Sequence, residues 1–548
     1  MKQKPLLTAL AALLLLLASC KNDIKSNLSI PKDAAFVFHV NSSSLASKLS
    51  WEDIKSSAWF KELYQNANDA YAQHLLDHPD SSGVDISKDL AFFMQRRGSG
   101  GYAVFEGSIK NAAAFEALVK KFSGIEQTEK SGEWNMISAN DRAVVSWNES
   151  RFAVISDMPM GSMNPMMNSM GEVSHFSADS LKIFVKEIMA VKGSNSLFDD
   201  KRFAAMVKED GDMHMWTNSG SLYSDLSGMM SMMKMGSLFS EAVSASTINF
   251  EDGKITMSSK SFMGKEMMEM MEKWDSKKVE AAVLNRIPSD NVIGVIAANV
   301  DPKSLQSFFK AMGLDGMINM MLAKQNINAN EVFSATKGQF VLSFSDLSIQ
   351  NKTVTVPGAD GAADYTTTRQ SPDFSMMFAT SVDKKPSFQN LLNALFANEP
   401  ALPFSYKLND DWFVAANKTE TVDGFLSGKA GSKPFTEKIS GHPFGMYFDM
   451  QRLLKTNFTE DVTTSGMLAD AAATWQNMIV TGGEVKNGAV TTAMEVNMVD
   501  KKTNSLKQLN RFIERMYNSS KRNKVAYNSR IHDTDGGTTD VVVEAKPE

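Results

Sequence analysis

The sequence predicts an α+β fold made of two tandem pseudo-repeats, each an antiparallel sheet with amphipathic helices packed on one face. Three observations carry this expectation. First, tight polar turns join alternating runs: Asn148-Glu149-Ser150 lies between 143–147 and 151–156, Asp252-Gly253 between 247–250 and 254–258, and Asn487-Gly488 between 478–485 and 489–496. Such turns join antiparallel neighbours, and Asp-Gly and Asn-Gly suit two-residue hairpin loops. Second, a strand-like run ending near Asn or Asp, with Leu or Phe four residues later, recurs at Asn41/Leu45, Asn111/Phe115, Asn218/Leu222, Asp301/Leu305 and Asp449/Leu453. The side-chain oxygen at that station can cap a helix whose apolar stripe the Leu or Phe begins. Third, landmarks return in the same order. Ile30-Pro31-Lys32-Asp33 matches Ile287-Pro288-Ser289-Asp290; 102–105 with Phe115, Leu118 and Phe122 match 374–382 with Phe388, Leu391 and Leu395; 147–152 match 408–413; 213–217 match 444–448; and Asp252-Gly253 matches Asn487-Gly488.

The elements follow from the N-terminus. Lys2 and Lys4 precede an apolar run from Leu6 to Ala18, which ends in Leu17-Ala18-Ser19-Cys20. A positive start, a short apolar run and small residues describe a secretory signal over 1–19. The run is shorter than the roughly 20 apolar residues that span a bilayer. Cys20 is the sole cysteine of 548 residues and the expected lipidation site. Residues 20–29 form a tether, 30–276 the first α+β repeat, 287–516 the second and 517–548 a C-terminal extension. Residues 356–370 are polar with two glycines and read as a long exposed loop. The extension opens with the basic patch Lys521-Arg522-Asn523-Lys524, and 538–545 reads as a final strand.

Composition describes a folded body, 43% hydrophobic and 22% charged, near ordinary soluble usage. Removing 1–19 takes away two lysines and moves the net charge from −6 to −8, which argues against nucleic acid as a partner. With one thiol there is no disulfide framework, and an acylated Cys20 leaves no cysteine for redox or nucleophilic chemistry.

No catalytic motif stands out. His74 and His78 share a helix face but flank Leu75-Leu76-Asp77, without the Glu of a zincin motif, and Pro79 ends the helix. His39 and His214 hold similar stations in strand-like runs. Gly98-Ser99-Gly100-Gly101 feeds a strand rather than a helix N-terminus. Asp199-Asp200 and Asp410-Asp411 sit beside turns, and Asp533-x-Asp535-Gly536 only opens like a calcium loop. Methionine is the outlier at 37 residues. Met158, Met160, Met163, Met166, Met167 and Met170 are Cu(I) candidates, because thioethers are soft ligands. Met229, Met230, Met232, Met233 and Met235, then Met267, Met268, Met270 and Met271, then Met317, Met320 and Met321 lie in helix-like stretches, where Met serves as adaptable core filler. No cofactor is expected.

The Leu-Ala-Ser-Cys end resembles a bacterial lipobox. Together with the Ile-Pro-x-Asp start and the doubled architecture, it resembles the large Bacteroidetes-type lipoproteins that carry a domain of unknown function. That resemblance implies a cysteine carrying acyl chains, palmitate among them, and an outer-membrane location. Lys21, in place of a retention Asp, agrees with outer-membrane transfer, and Lys21-Asn22-Asp23-Ile24-Lys25 lacks the acidic run associated with surface export, which favours the periplasmic face. The resulting expectation is a non-enzymatic envelope lipoprotein whose partners are the membrane, through its anchor, and an envelope protein or apolar ligand. The alternatives are an envelope-polymer hydrolase with an unrecognised site, and Met-based copper handling.

Overall fold

A computed structural model of the protein describes residues 28–67, 69–158, 174–222, 241–273, 277–323, 327–356, 365–396, 403–456 and 462–533. The signal segment and Cys20 lie outside these residues. The strands are β1 (Phe36–Val40), β2 (Leu90–Arg97), β3 (Gly100–Ser108), β4 (Glu129–Ser131), β5 (Trp134–Asn140), β6 (Ala143–Trp147), β7 (Arg151–Asp157), β8 (Met213–Asn218) and β9 (Val243–Glu251). They continue with β10 (Lys254–Phe262), β11 (Val292–Asn299), β12 (Thr336–Val356), β13 (Tyr365–Val382), β14 (Ser405–Leu408), β15 (Trp412–Ala416), β16 (Phe444–Phe448), β17 (Trp475–Lys486) and β18 (Ala489–Met498).

These eighteen strands form one open antiparallel sheet. Its centre is the pairing of β10 with β18, in register from Lys254↔Asn497 to Ser261↔Val490. Outward from that seam, one arm runs β10, β9, β8, β1, β2, β3, β7, β6, β5, β4. The other runs β18, β17, β16, β11, β12, β13, β15, β14.

The recurrent Asn/Asp stations are helix caps. Asn41, Asn111, Asp301 and Asp449 accept from the backbone N–H of Ser44, Ala114, Ser304 and Arg452, and Asn218 accepts from Ser221. Each satisfies an orphan donor of a helix start. The hairpins fall where the turns place them. Both Asn487 and Gly488 have positive φ, but at the Asp252-Gly253 turn Gly253 does and Asp252 does not.

Helix placement differs from the expectation of one covered face. In the first arm, helix Ala178–Met189 packs Leu181, Val185 and Ile188 against Val104, Val144 and Ile155. Helix Ala112–Ser123 packs Phe115, Leu118 and Val119 on the opposite face, against Phe105, Val145 and Phe152. The strands explain this: β3 and β6 are buried along their whole length, so neither side tolerates water. The second arm likewise has helix Thr419–Ser427 on one face and helix Lys385–Phe396 on the other.

Three of the expected spans carry structure of their own. Leu28 and Ser29 of the tether are already buried in the first arm. The exposed loop at 356–370 is partly strand: β12 and β13 pair as far as Val356↔Tyr365, forming a ribbon that runs beyond its neighbours. The boundary at 516/517 falls inside helix Ser505–Asp533, about 43 Å long at 1.5 Å per residue. That helix ties the arms together. It meets the first arm through Trp59 Nε1–Asn510 Oδ1 (3.3 Å), Ala58 N–Glu514 Oε1 (3.0 Å) and Lys507–Asp53 (2.9 Å). It meets the second through Phe512 edge-on to Trp475 and Ser519 to Asp470.

The seam hairpin is fixed at its tip. Gly253 N–H donates to Thr503 O, and Gly253 O accepts from Met498 N–H. A Cβ on Gly253 would lie 2.5 Å from Lys501 Cα, whereas one on Gly488 meets open space, and the two φ values are +70° and +71°. Both alanine substitutions carry left-handed strain of about 1–2 kcal/mol, so Gly253→Ala should cost about 1–3 kcal/mol more than Gly488→Ala through overpacking. Denaturant titration of both variants checks this, and equal costs would contradict the packing of 498–503 against the tip.

Candidate functional site

Side chains opposite one another in an antiparallel ladder share a face. In the second arm, Val295, Ala297, Val341, Ala379 and Val414 occupy the buried face. The alternate residues form a row on the other: Ile296 opposes Leu342 and Met446, and Leu342 opposes Phe378. The row crosses the seam without a break, because Met446 opposes Val480, Val480 opposes Met494, Met494 opposes Met257, and Met257 opposes Ile248. Ile296, Leu342 and Phe378 are 42%, 41% and 38% exposed, as is neighbouring Met376 at 49%. An apolar strip on this scale is informative where a lone exposed Leu is not.

At the seam the strip deepens into a cleft of about 390 Å³, lined by Ile248, Ile255, Met257, Met450, Trp475, Met494 and Val496. The sheet supplies the floor, and Met450, which opens helix Met450–Lys455, and Trp475 supply the wall. The next row on the same face is hydroxylic: Ser246 donates to Ser259 at 2.9 Å, and Ser259 opposes Thr492. The reverse face of the seam is polar, with Glu495 4.0 Å from Lys254 and 3.8 Å from Lys438. The volume lies in the range of small-ligand sites, about 300–1,000 Å³.

The titratable groups in the interior are tied into the fold. His39 and His214 stand opposite each other on β1 and β8, with Nδ1 atoms 3.2 Å apart and both rings 1% exposed. One ring donates and the other accepts; His214 Nε2 lies 3.2 Å from Glu209 O, and His39 Nε2 is 3.2 Å from the Asp89 carboxylate. Burial, then His39, push the His214 imidazole down to about 4. Asp212, fully buried, accepts from Ser44 Oγ (2.5 Å), Lys48 Nζ (2.6 Å) and Phe250 N (2.6 Å). Glu106 on β3 accepts the Ser29 N–H on both oxygens, at 2.9 and 3.0 Å. Burial pushes its carboxyl up to about 7, against the Ser29 N–H and the charge of Arg151. Nearer the surface, Asp157 binds His175 Nδ1 at 2.7 Å and Phe176 N–H at 2.9 Å. Glu484 lies 2.5 Å from His442 Nδ1. Burial pushes Glu484 up, but the His442 bond and its other partners leave it below its ordinary value.

The family profile described as domain of unknown function (DUF4836) matches residues 26–367. The chain belongs to that family. The DUF4836 match takes in the whole first arm, β9 and β10 of the cleft, and β11 and β12, and stops early in β13. No curated protein and no solved structure matches the chain.

Of the candidates drawn from the sequence, Met158 directly follows β7, while Met160, Met163, Met166, Met167, Met170 and Cys20 lie outside the described residues. Among the described residues no cluster of three or more His, Cys, Asp or Glu is arranged to hold a metal. No helix among them is long and apolar enough to cross a membrane. His74 and His78 end helix Ala70–Asp77 with exposed side chains. Asp200 is a helix cap and Asp410 pairs with Lys385, as turn-side carboxylates do. Met267, Met268 and Met271 are buried core filler, but Met317 and Met320 are 47% and 62% exposed.

Glu106 and His214 give opposed pH dependences. Glu106 protonates more readily when folded, so its contribution to stability is complete below about pH 4.5 and is lost as pH rises through about 7. His214 protonates less readily when folded, so its contribution is complete above about pH 6.5 and is lost as pH falls through about 4. Glu106→Gln should therefore gain on the wild type as pH rises from 4.5 to 7, read by denaturant titrations across that range. A pH-independent difference would show that Glu106 does not titrate there.

Proposed function

We propose that the protein is an outer-membrane lipoprotein, anchored through acylated Cys20 on the periplasmic face, which binds an apolar partner or ligand rather than performing catalysis. The observation that carries this reading is the apolar strip on one sheet face, deepening at the seam into a cleft lined by apolar side chains. The interior carboxylates point the same way: Glu106 and Asp212 are held by backbone N–H groups and neighbouring side chains of the fold. The lipobox-like end at Cys20 supports the anchor.

The two arms are read as duplicated units. Supporting this, the strand orders correspond step by step outward from the seam as far as β6 and β14. Asn148 and Asn409 both turn the chain by accepting from the residues two and three positions on. Superposing β1–β3 and β6–β10 on β11–β18 in an experimental structure should lay helix Ala112–Ser123 over helix Lys385–Phe396; a mismatch removes the duplication.

Native mass spectrometry of the protein, released from its own envelope in detergent-free polymer discs, tests anchor and binding together. The polypeptide should begin at Cys20 and carry acyl mass, with a further non-covalent mass bound. Met494→Glu, which buries an unpaired charge in the cleft, should keep the acyl mass and lose the other. An unacylated Cys20 refutes the anchor. A wild type without bound mass, or bound mass indifferent to Met494, refutes binding in the cleft.

A further inference from the structure

We infer that the seam cleft takes the acyl chain of an amphiphile, with its polar end at Ser259 and Thr492. This deepens the binding reading above and rests on it.

The cleft presents only Ile, Met, Val and Trp side chains. The sheet beneath it has already committed its N–H and C=O groups to the β9–β10, β10–β18 and β17–β18 ladders. An occupant therefore finds no hydrogen-bond partner along the floor and must need none along its own length. An extended peptide fails that condition, because each residue brings a donor and an acceptor that cost free energy when buried unpaired. A hydrocarbon chain meets it.

The shape agrees. A cleft of about 390 Å³ is small for a folded partner, and it opens onto a strip rather than closing. From β9 through β10, β18, β17, β16, β11 and β12 to β13 the strip spans about 34 Å at 4.7–4.9 Å per strand, room for a long chain lying across the strands. Four of the side chains beside this path, Met257, Met494, Met450 and Met446, are unbranched thioethers that adjust to an occupant of variable outline. Polarity is confined to one side, where Ser246 donates to Ser259 and the Ser244–Ser261 pair follows, each at 2.9 Å. Ser246 is itself buried, but Ser259 and Thr492 are half-buried, and their hydroxyls can bond a carboxyl, ester or hydroxyl headgroup.

Trp475 in the wall makes the occupant visible. Bromine quenches indole emission at contact distance, so 9,10-dibromostearic acid is a suitable probe for the full chain from Cys20. The expected result is saturable quenching that disappears in Trp475→Phe and is kept in Trp134→Phe, whose indole lies on β5 at the far end of the first arm. Met257→Glu should weaken stearic acid binding by at least about tenfold, since a carboxylate there has no partner. Non-saturable quenching, or quenching that survives in Trp475→Phe, overturns the assignment. So does a Met494-dependent envelope ligand that contains no acyl chain, and in that case the binding reading stands while this one falls.

Discussion

Strands β10 and β18 meet residue for residue from Lys254↔Asn497 to Ser261↔Val490, and everything at the cleft depends on that register. Each arm alone would end in a row of open N–H and C=O groups; paired, they make one continuous sheet. Because the side-chain period of a strand is two, a slip of one residue would replace Met257 and Ile255 on the cleft face with Thr256 and Ser258. The register is held at the hairpin tip, where Gly253 exchanges hydrogen bonds with Met498 and Thr503 and Asp252 bridges to Asn504. Helix Ser505–Asp533 departs from that same point to grip both arms, so the contact that aligns the ladder also starts the strut across it.

The seam is two-sided in a way the arms are not. Within the first arm, apolar strands carry helices on both faces, and within the second the same holds toward β13–β15. At the seam one face is polar, with Glu495, Lys254 and Lys438 near one another, and stable in water. The other is apolar, and Met450 and Trp475 wall it without roofing it. A sheet face of Ile, Met and Val beside water leaves hydrophobic free energy uncollected, roughly 25 cal/mol for each Å² of apolar surface, and that is the driving force available to an occupant.

Much of the local structure was legible. The Asn and Asp caps are sequence-local: Asn41, Asn111, Asp301 and Asp449 act within three residues of themselves. The hairpins at Asn148, Gly253 and Asn487-Gly488 were readable for the same reason. Where the reading failed, long-range contacts decide. The polar run 365–370 is strand because 351–356 pairs with it, and its Thr-rich composition suits a pleated surface. Helices on both faces were missed because hairpins alone do not reveal which side a crossover takes. His39 and His214 lie 175 positions apart, and only the β1–β8 register sets them ring to ring. The cleft was hidden most deeply, since Ile248 and Met494 reach it from opposite arms. The methionine habit was half informative: Met267 and Met271 fill a core, whereas Met317 and Met320 face outward, and composition does not separate the two.

The seam also sets a timetable. β10 ends at Phe262, and the strand that completes it starts at Ala489, so a chain emerging N-terminus first presents the first arm before its partner edge exists. Pairings of such separation form late and slowly, because loop closure precedes the contacts that reward it. Through that interval β10 is an exposed edge, the kind of surface that recruits other chains. Its composition suits the wait: Lys254, Lys260 and the hydroxyls Thr256, Ser258, Ser259 and Ser261 alternate with few apolar residues, and lysines on an edge discourage pairing with a stranger. Ser259, the member of the cleft's hydroxyl row that lies on β10, thus also belongs to the polar set that guards the unfinished edge.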